Sequence, residues 1–91
     1  MIDKINYLLS KGYVVGVDCF PTHTSVHVLY DNQQTCAMAV YHEHTILDDH
    51  LDLSIKNRDG KKIAQLDSYY SDTLSFDAVV DVVLDMVIRR I

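Results

Sequence analysis

The sequence predicts an α+β fold, an antiparallel four- or five-stranded sheet flanked by an N-terminal and a C-terminal helix. Three patterns predict it. Apolar residues recur at helical spacing at both ends of the chain, valine-rich and alternating segments lie between them, and an Asp-Gly pair marks a hairpin turn. The 91 residues, 48% hydrophobic and 23% charged, have the composition of one globular domain over residues 1–91.

Residues 2–11 are predicted to form the first helix, because Ile2, Ile5 and Leu8 fall on one of its faces. Gly12 then stands where a glycine in the left-handed conformation ends a helix. A helix this short depends on packing for its stability.

Three strands are predicted next, at residues 13–20, 25–30 and 35–42. The first is rich in valine and ends before Pro21. The third is apolar on both faces, since Met38 and Val40 alternate with Ala37 and Ala39. Such a strand usually lies inside a sheet whose two faces are both covered.

A hairpin is predicted in the second half of the chain. Residues 43–50 form a polar connection, and residues 51–56 alternate between apolar and polar side chains as a half-buried strand does. Asp59-Gly60 is typical of a hairpin turn, so residues 61–66 are the returning strand.

Residues 74–90 are predicted to form the final helix, with Asp72, Thr73 or Ser75 as its N-cap. Its apolar side chains fill an arc of roughly 200°, whereas a helix on one sheet needs about 100°. The excess face is predicted either to lie between two layers or to contact another chain. In the second case the oligomer interface consists of Val79, Val83, Met86 and Val87.

An acidic stripe of Asp77, Asp81 and Asp85 recurs every fourth residue along the same helix. Like charges at this spacing destabilise a helix by about 0.2–0.5 kcal/mol per pair, and no base lies nearby in the sequence before Arg89. We interpret the stripe as a surface that meets an Arg- and Lys-rich partner, with a solvated helix face as the alternative. Tyrosine is enriched at protein interfaces, so we also expect the adjacent Tyr69 and Tyr70 to contact the partner. The predicted partner-binding residues are Asp72, Asp77, Asp81, Asp85, Tyr69 and Tyr70.

Charge defines the expected partner. Thirteen acids against eight bases give a net charge of −5, which weighs against direct nucleic-acid binding and favours a protein partner with a basic surface. No apolar run is long enough for a membrane helix. Cys19 and Cys36 are expected to be free thiols in the cytoplasm.

All five histidines lie between residues 23 and 50. An alternative function is therefore a small metal-binding protein that uses the His42, His44 and His50 group, although their spacing lacks a closed zinc pattern. No Gly-x-Ser-x-Gly or phosphate-binding loop is present, so we expect neither catalytic residues nor a cofactor.

The element order, from the helix with Ile2-Asp3-Lys4-Ile5 through the hairpins to Asp77 and Asp81, resembles small phage-encoded inhibitor proteins of the anti-CRISPR type. The resemblance implies a non-enzymatic inhibitor that occludes a cationic nucleic-acid site of a partner in the bacterial host cytoplasm. Double-stranded-RNA-binding domains share the order, but their final helix begins with basic residues where this chain has Asp72 and Asp77. A homodimeric chaperone or assembly subunit is a further alternative.

Overall fold

A computed structural model describes residues 1–91 and shows the predicted α+β fold. Five strands form one antiparallel sheet in the order β1-β2-β3-β4-β5, with a helix at each end of the chain. The elements are α1 (Ile2–Ser10), β1 (Val14–Cys19), β2 (His23–Leu29), β3 (Thr35–His42), β4 (Asp49–Lys56), β5 (Lys62–Tyr70) and α2 (Phe76–Ile88).

The last hairpin is longer than the sequence predicts. β4 begins at Asp49, inside the predicted polar connection, and β5 continues to Tyr70 beyond the predicted end at Leu66. The reason is pairing: Asp49 and Tyr70 are opposite each other, so the two strands remain hydrogen-bonded neighbours to their ends. Tyr69 is therefore a strand residue.

Local signals place the turns and caps as predicted. Gly12 and Gly60 both have positive φ, at 90° and 81°, which glycine adopts without steric cost. The hairpin turn closes with a 3.0 Å hydrogen bond from the Gly60 amide to the Asn57 carbonyl. The hydroxyl of Ser75 caps α2 by accepting a 3.2 Å hydrogen bond from the amide of Ala78.

Both helices cover the same face of the sheet. α1 packs against β1 and α2, while α2 packs against β2, β3 and α1. The apolar arc of α2 is wide because it touches a sheet and a second helix. Val79, Val83 and Val87 are fully buried in this core, and Met86 packs against it half-buried. The predicted oligomer interface of Val79, Val83, Met86 and Val87 is thus packed within the chain itself, and its cover comes from the sheet and from α1 beside α2 rather than from a layer on either side of the helix.

The opposite face of the sheet has no cover. β3 is the middle strand, as predicted, but its buried residues, Cys36, Ala37, Ala39 and Tyr41, all belong to the single core beneath the helices. On the other side the Met38 side chain is 45% exposed. The prediction that β3 is covered on both faces is wrong, because both helices pack on one side.

Candidate functional site

The uncovered side of the sheet, called the open face below, is the largest feature that the fold leaves unexplained. Antiparallel register aligns its side chains in rows that run across all five strands. One row, the carboxylate row, consists of Asp18, Ser25, Val40, Asp52 and Asp67. Beside it, the ring row consists of Phe20, His23, His42, His50 and Tyr69.

The ring row is a band of neighbouring aromatic side chains at one end of the open face. Phe20 stacks on His23 with ring centroids 4.6 Å apart, and His23 lies 5.9 Å from His42 on the next strand. At the other edge, His50 stacks on Tyr69 at 4.7 Å. Phe20 is 50% exposed and Tyr69 is 67% exposed, so this band offers apolar ring surface to a partner.

The carboxylate row lies directly behind the rings. Asp67 is 2.9 Å from the imidazole of His50, while Asp18 is 3.9 Å from that of His27. The Asp52 carboxylate accepts a hydrogen bond from the side-chain amide of Gln65. Three carboxylates on one surface make this half of the open face negative at neutral pH.

The other end of the open face carries the opposite charge. Lys56 and Lys62 are cross-strand neighbours beside the β4–β5 turn. Together with Thr35, Met38 and Ser54 they line a groove of about 250 Å³. The open face is therefore basic at the hairpin end and acidic beside the ring row.

The loop between β3 and β4 extends the ring row into solvent. Ile46 at its tip is 91% exposed, and Leu47 beside it is exposed as well. An open groove of about 480 Å³ lies between this loop and the sheet. Its lining residues are His44, Ile46, Leu47, Asp48, His50 and Tyr69.

A buried polar cluster holds the base of that loop. Asp49 accepts hydrogen bonds from the hydroxyl of Tyr41 and, at 3.0 Å, from the amide of His44. The Tyr41 oxygen accepts a 2.9 Å hydrogen bond from the amide of Leu74, which leads into α2. The loop is thereby tied to β3, β4 and the start of α2.

These hydrogen bonds shift the titration of both side chains. Donation from the Tyr41 hydroxyl, helped by the His44 amide, lowers the pKa of Asp49 below the ordinary aspartate value. Burial raises the pKa of Tyr41 to about 12. Sequence reasoning misses this cluster because it predicts a polar connection over residues 43–50, which includes Asp49. Its even spacing with Leu51 and Leu53 is the signal that places it on the covered face.

The acidic stripe of α2 is largely neutralised within the chain. Asp81 lies 2.8 Å from the ammonium of Lys4 and 3.2 Å from the Met1 amino group, and Asp85 lies 3.0 Å from Arg89. The prediction that no base relieves the stripe before Arg89 is wrong, since α1 packs beside α2. Among the predicted partner-binding acids, Asp77 and Asp72 are exposed and make none of the ion pairs in the structure.

The two predicted contact tyrosines lie on opposite sides of the sheet. Tyr69 belongs to the open face, whereas Tyr70 is half-buried toward the helices with its ring 6.3 Å from that of Tyr41. Adjacent strand residues alternate between faces, so one surface cannot use both side chains equally.

The histidines proposed as metal ligands do not converge. His42 and His44 have ring centroids 6.4 Å apart, while His50 is turned to Asp67 and Tyr69. No group of three or more His, Cys, Asp or Glu side chains is arranged to hold a metal ion. Cys19 is exposed and Cys36 buried, and both are free.

Comparison of the chain with protein-family models, with curated proteins and with solved structures finds no match. Neither helix has the length and apolar character that crossing a bilayer requires.

Proposed function

We propose that this chain is a small, non-enzymatic protein-interaction module that binds another protein through its open face. The partner presents a basic surface, and the chain acts in the cytoplasm as an inhibitor that occludes that surface, as the resemblance to phage-encoded inhibitors implies. One observation carries the proposal. A complete face of the five-stranded sheet is uncovered and combines exposed rings with a row of carboxylates.

The apolar part of the open face has the composition of an interface. Phe20, Met38 and Tyr69 are all exposed on it, and aromatic residues and methionine are enriched at the centres of protein contacts. Phe20 and Tyr69 stand at the two ends of the ring row, and the histidine rings between them connect their apolar surfaces. The neighbouring loop adds Ile46, whose side chain has no cover of its own.

Charge selects the class of partner. Exposed rings on an antiparallel sheet also occur in proteins that stack nucleic-acid bases. Here, however, Asp18, Asp52 and Asp67 lie directly beside the rings and oppose phosphates. Arginine can contact both the rings and the carboxylates, because its guanidinium group stacks on aromatic rings and pairs with carboxylate groups. The favoured partner is therefore a protein surface rich in arginine or lysine.

The test compares two variants with equal net charge. Asp18→Asn with Asp67→Asn removes two charges from the open face, and Asp72→Asn with Asp77→Asn removes two from the α2 end of the molecule. We expect a protein captured by the parent chain to be retained by the second variant and to bind the first at least about tenfold more weakly, with strong salt dependence. Loss of binding only in the second variant would place the contact on the acidic stripe, and equal binding by both would exclude a charged contact.

Inhibition is tested with the captured protein itself. If the chain occludes a nucleic-acid site, adding it should release labelled nucleic acid from the partner in proportion to the complex formed. A stable ternary complex of chain, partner and nucleic acid would contradict the inhibitor proposal while leaving the protein-interaction module in place.

A further inference from the structure

β5 is a nine-residue strand that pairs with β4 on one side and lies at the edge of the sheet on the other. Proteins usually protect such an edge with proline, interior lysines or a covering loop, because its free amide and carbonyl groups accept another strand. Between Ile63 and Tyr70 this strand has no proline and no lysine. The pairing irregularity of this hairpin lies at the Lys62 end, away from the strand's centre.

The low charge and the apolar side chains of β5 both favour pairing with a further strand. Asp67 is the one charged residue between Ile63 and Tyr70, and it is already turned to His50 on β4. Ile63 is 52% exposed on the open side of the edge. On the helix side Leu66 is half-buried, since the helices pack mainly over β1, β2 and β3. The outer edge of β5 thus has no strand partner, and the strand carries accessible apolar side chains on both faces.

We infer that two copies of this chain associate by antiparallel pairing of their β5 strands, with Leu66 opposite Leu66 at the two-fold axis. Leu66 is the midpoint of β5, so this register uses all nine residues. It sets Ile63 opposite Tyr69 of the second copy and Gln65 opposite its Asp67. These are an apolar pair and an amide–carboxylate pair, and both are favourable across strands.

Neighbouring registers are less favourable. A two-fold axis at Asp67 would place two carboxylates opposite each other, which is destabilising. A shift by one residue would turn the side chains of one copy to the wrong face. In the Leu66 register, no two like charges lie opposite each other anywhere between Lys62 and Tyr70.

The other edge of the sheet is a weaker candidate. β1 has six residues with Gly16 in its middle, and its Asp18 side chain is exposed. A two-fold axis at Gly16 would place Asp18 opposite Val14. Pairing through β5 also keeps both open faces on one side of a continuous sheet, because an antiparallel two-fold axis is perpendicular to it. This dimer is independent of the proposed function and would double the area of the open face.

The first experiment measures mass against concentration by sedimentation. We expect a monomer–dimer equilibrium, weakened at least about tenfold by Ile63→Lys, because a lysine at the edge opposes strand addition. Val14→Lys makes the same change on the open side of the β1 edge and should leave the equilibrium unchanged. A monomer at all concentrations up to the millimolar range, or a dimer sensitive only to Val14→Lys, would overturn the inference.

The second experiment tests the register by disulfide trapping in a Cys19→Ser background. A mixture of the Gln65→Cys and Asp67→Cys proteins should form a cross-linked heterodimer, because these positions are directly opposite each other. Neither protein alone should cross-link, since a two-residue offset separates the Cα atoms by more than about 7 Å. Cross-linking of the Gln65→Cys protein with itself, or none in the mixture, would overturn the register. Circular dichroism confirms that each variant is folded.

Discussion

The two faces of this sheet are built from the same strands yet have opposite properties. On β2, β3 and β4 the side chains of Val26, Ala39 and Leu53 lie in one cross-strand row and are buried beneath the helices. Their immediate neighbours on the other side include Val40 and Asp52 of the carboxylate row, which remain accessible. The covered face stabilises the fold, and the open face is left for recognition.

One covered face is enough to stabilise the fold, because buried side chains contribute more to the free energy of unfolding than exposed ones. The covered face contributes to a core cluster of sixteen buried residues. Burial of a large aliphatic or aromatic side chain stabilises a protein by about 1.5–3 kcal/mol. An exposed ion pair contributes roughly 0–1 kcal/mol. Substitutions on the open face should therefore change binding more than they change folding.

The largest effect is expected from placing a charge on each face in turn. Val83→Asp buries an unpaired carboxylate between α2 and the sheet and should destabilise the chain by more than about 4 kcal/mol, enough to unfold it. Met38→Asp on the open face should cost no more than about 1 kcal/mol. Urea unfolding followed by circular dichroism measures both. Equal destabilisation would show that the open face is covered in solution.

Alkaline pH should also destabilise the fold, because two buried tyrosines resist ionisation in the folded chain. Burial raises the pKa of Tyr30 and of Tyr41 to about 12. An unfolded tyrosine ionises near pH 10, so the stabilisation is complete below about pH 10 and is lost as the pH rises through about 12. Each tyrosine should account for roughly 2–3 kcal/mol of that loss. The free energy of unfolding should therefore depend less steeply on pH across this range in Tyr30→Phe and in Tyr41→Phe than in the parent chain.

A smaller effect is expected at the polar cluster beneath the loop. Tyr41→Phe leaves Asp49 and the Leu74 amide without their shared hydroxyl, which should cost about 1–3 kcal/mol at neutral pH. The pKa of Asp49 is lowered in the folded chain, so its stabilisation is present above the ordinary aspartate pKa and is lost as the pH falls through the lower, folded value. The variant should therefore lose less stability in acid than the parent. An identical acid dependence of thermal unfolding would contradict this role.

The smallest effect is expected from single carboxylates of α2. Asp81→Asn removes an ion pair with Lys4 and should lower the melting temperature by a few degrees at most. Asp77→Asn removes an exposed charge that has no ion-pair partner but lies in the first turn of α2, where the helix N-terminus favours a carboxylate, so it should lower the melting temperature only slightly. High salt should remove the difference between the two variants. A difference that persists in salt would indicate that Asp81 stabilises the helix pair by some contact other than charge.

Sequence reasoning succeeded where the signal is local. The apolar periodicity of residues 74–90 predicts the final helix, and the structure confirms it as α2, Phe76–Ile88. Gly12 and Gly60 mark backbone positions with positive φ, a requirement of one residue and its neighbours. The α+β class follows from the order of such segments.

Contacts between distant segments required the tertiary structure. Lys4 and Asp81 are 77 residues apart, and the ion pair exists because α1 packs beside α2. The ring row likewise depends on register, since His23, His42 and Tyr69 lie on three different strands. The helical pattern of α2 was consistent with cover by a second layer or by a second chain, because a wide apolar arc does not specify its neighbour.

The amino-acid sequence by itself determined the elements, their caps and turns, and the net charge, because each depends on residues within a few positions of one another. Only the tertiary structure decided that both helices pack on one face and leave the other open, since that choice depends on how whole layers bury apolar area. The burial of Asp49 and the exposure of Met38 follow from that choice. Side chains on the same strands thus have different roles because packing on one side stabilises the fold and leaves the other accessible.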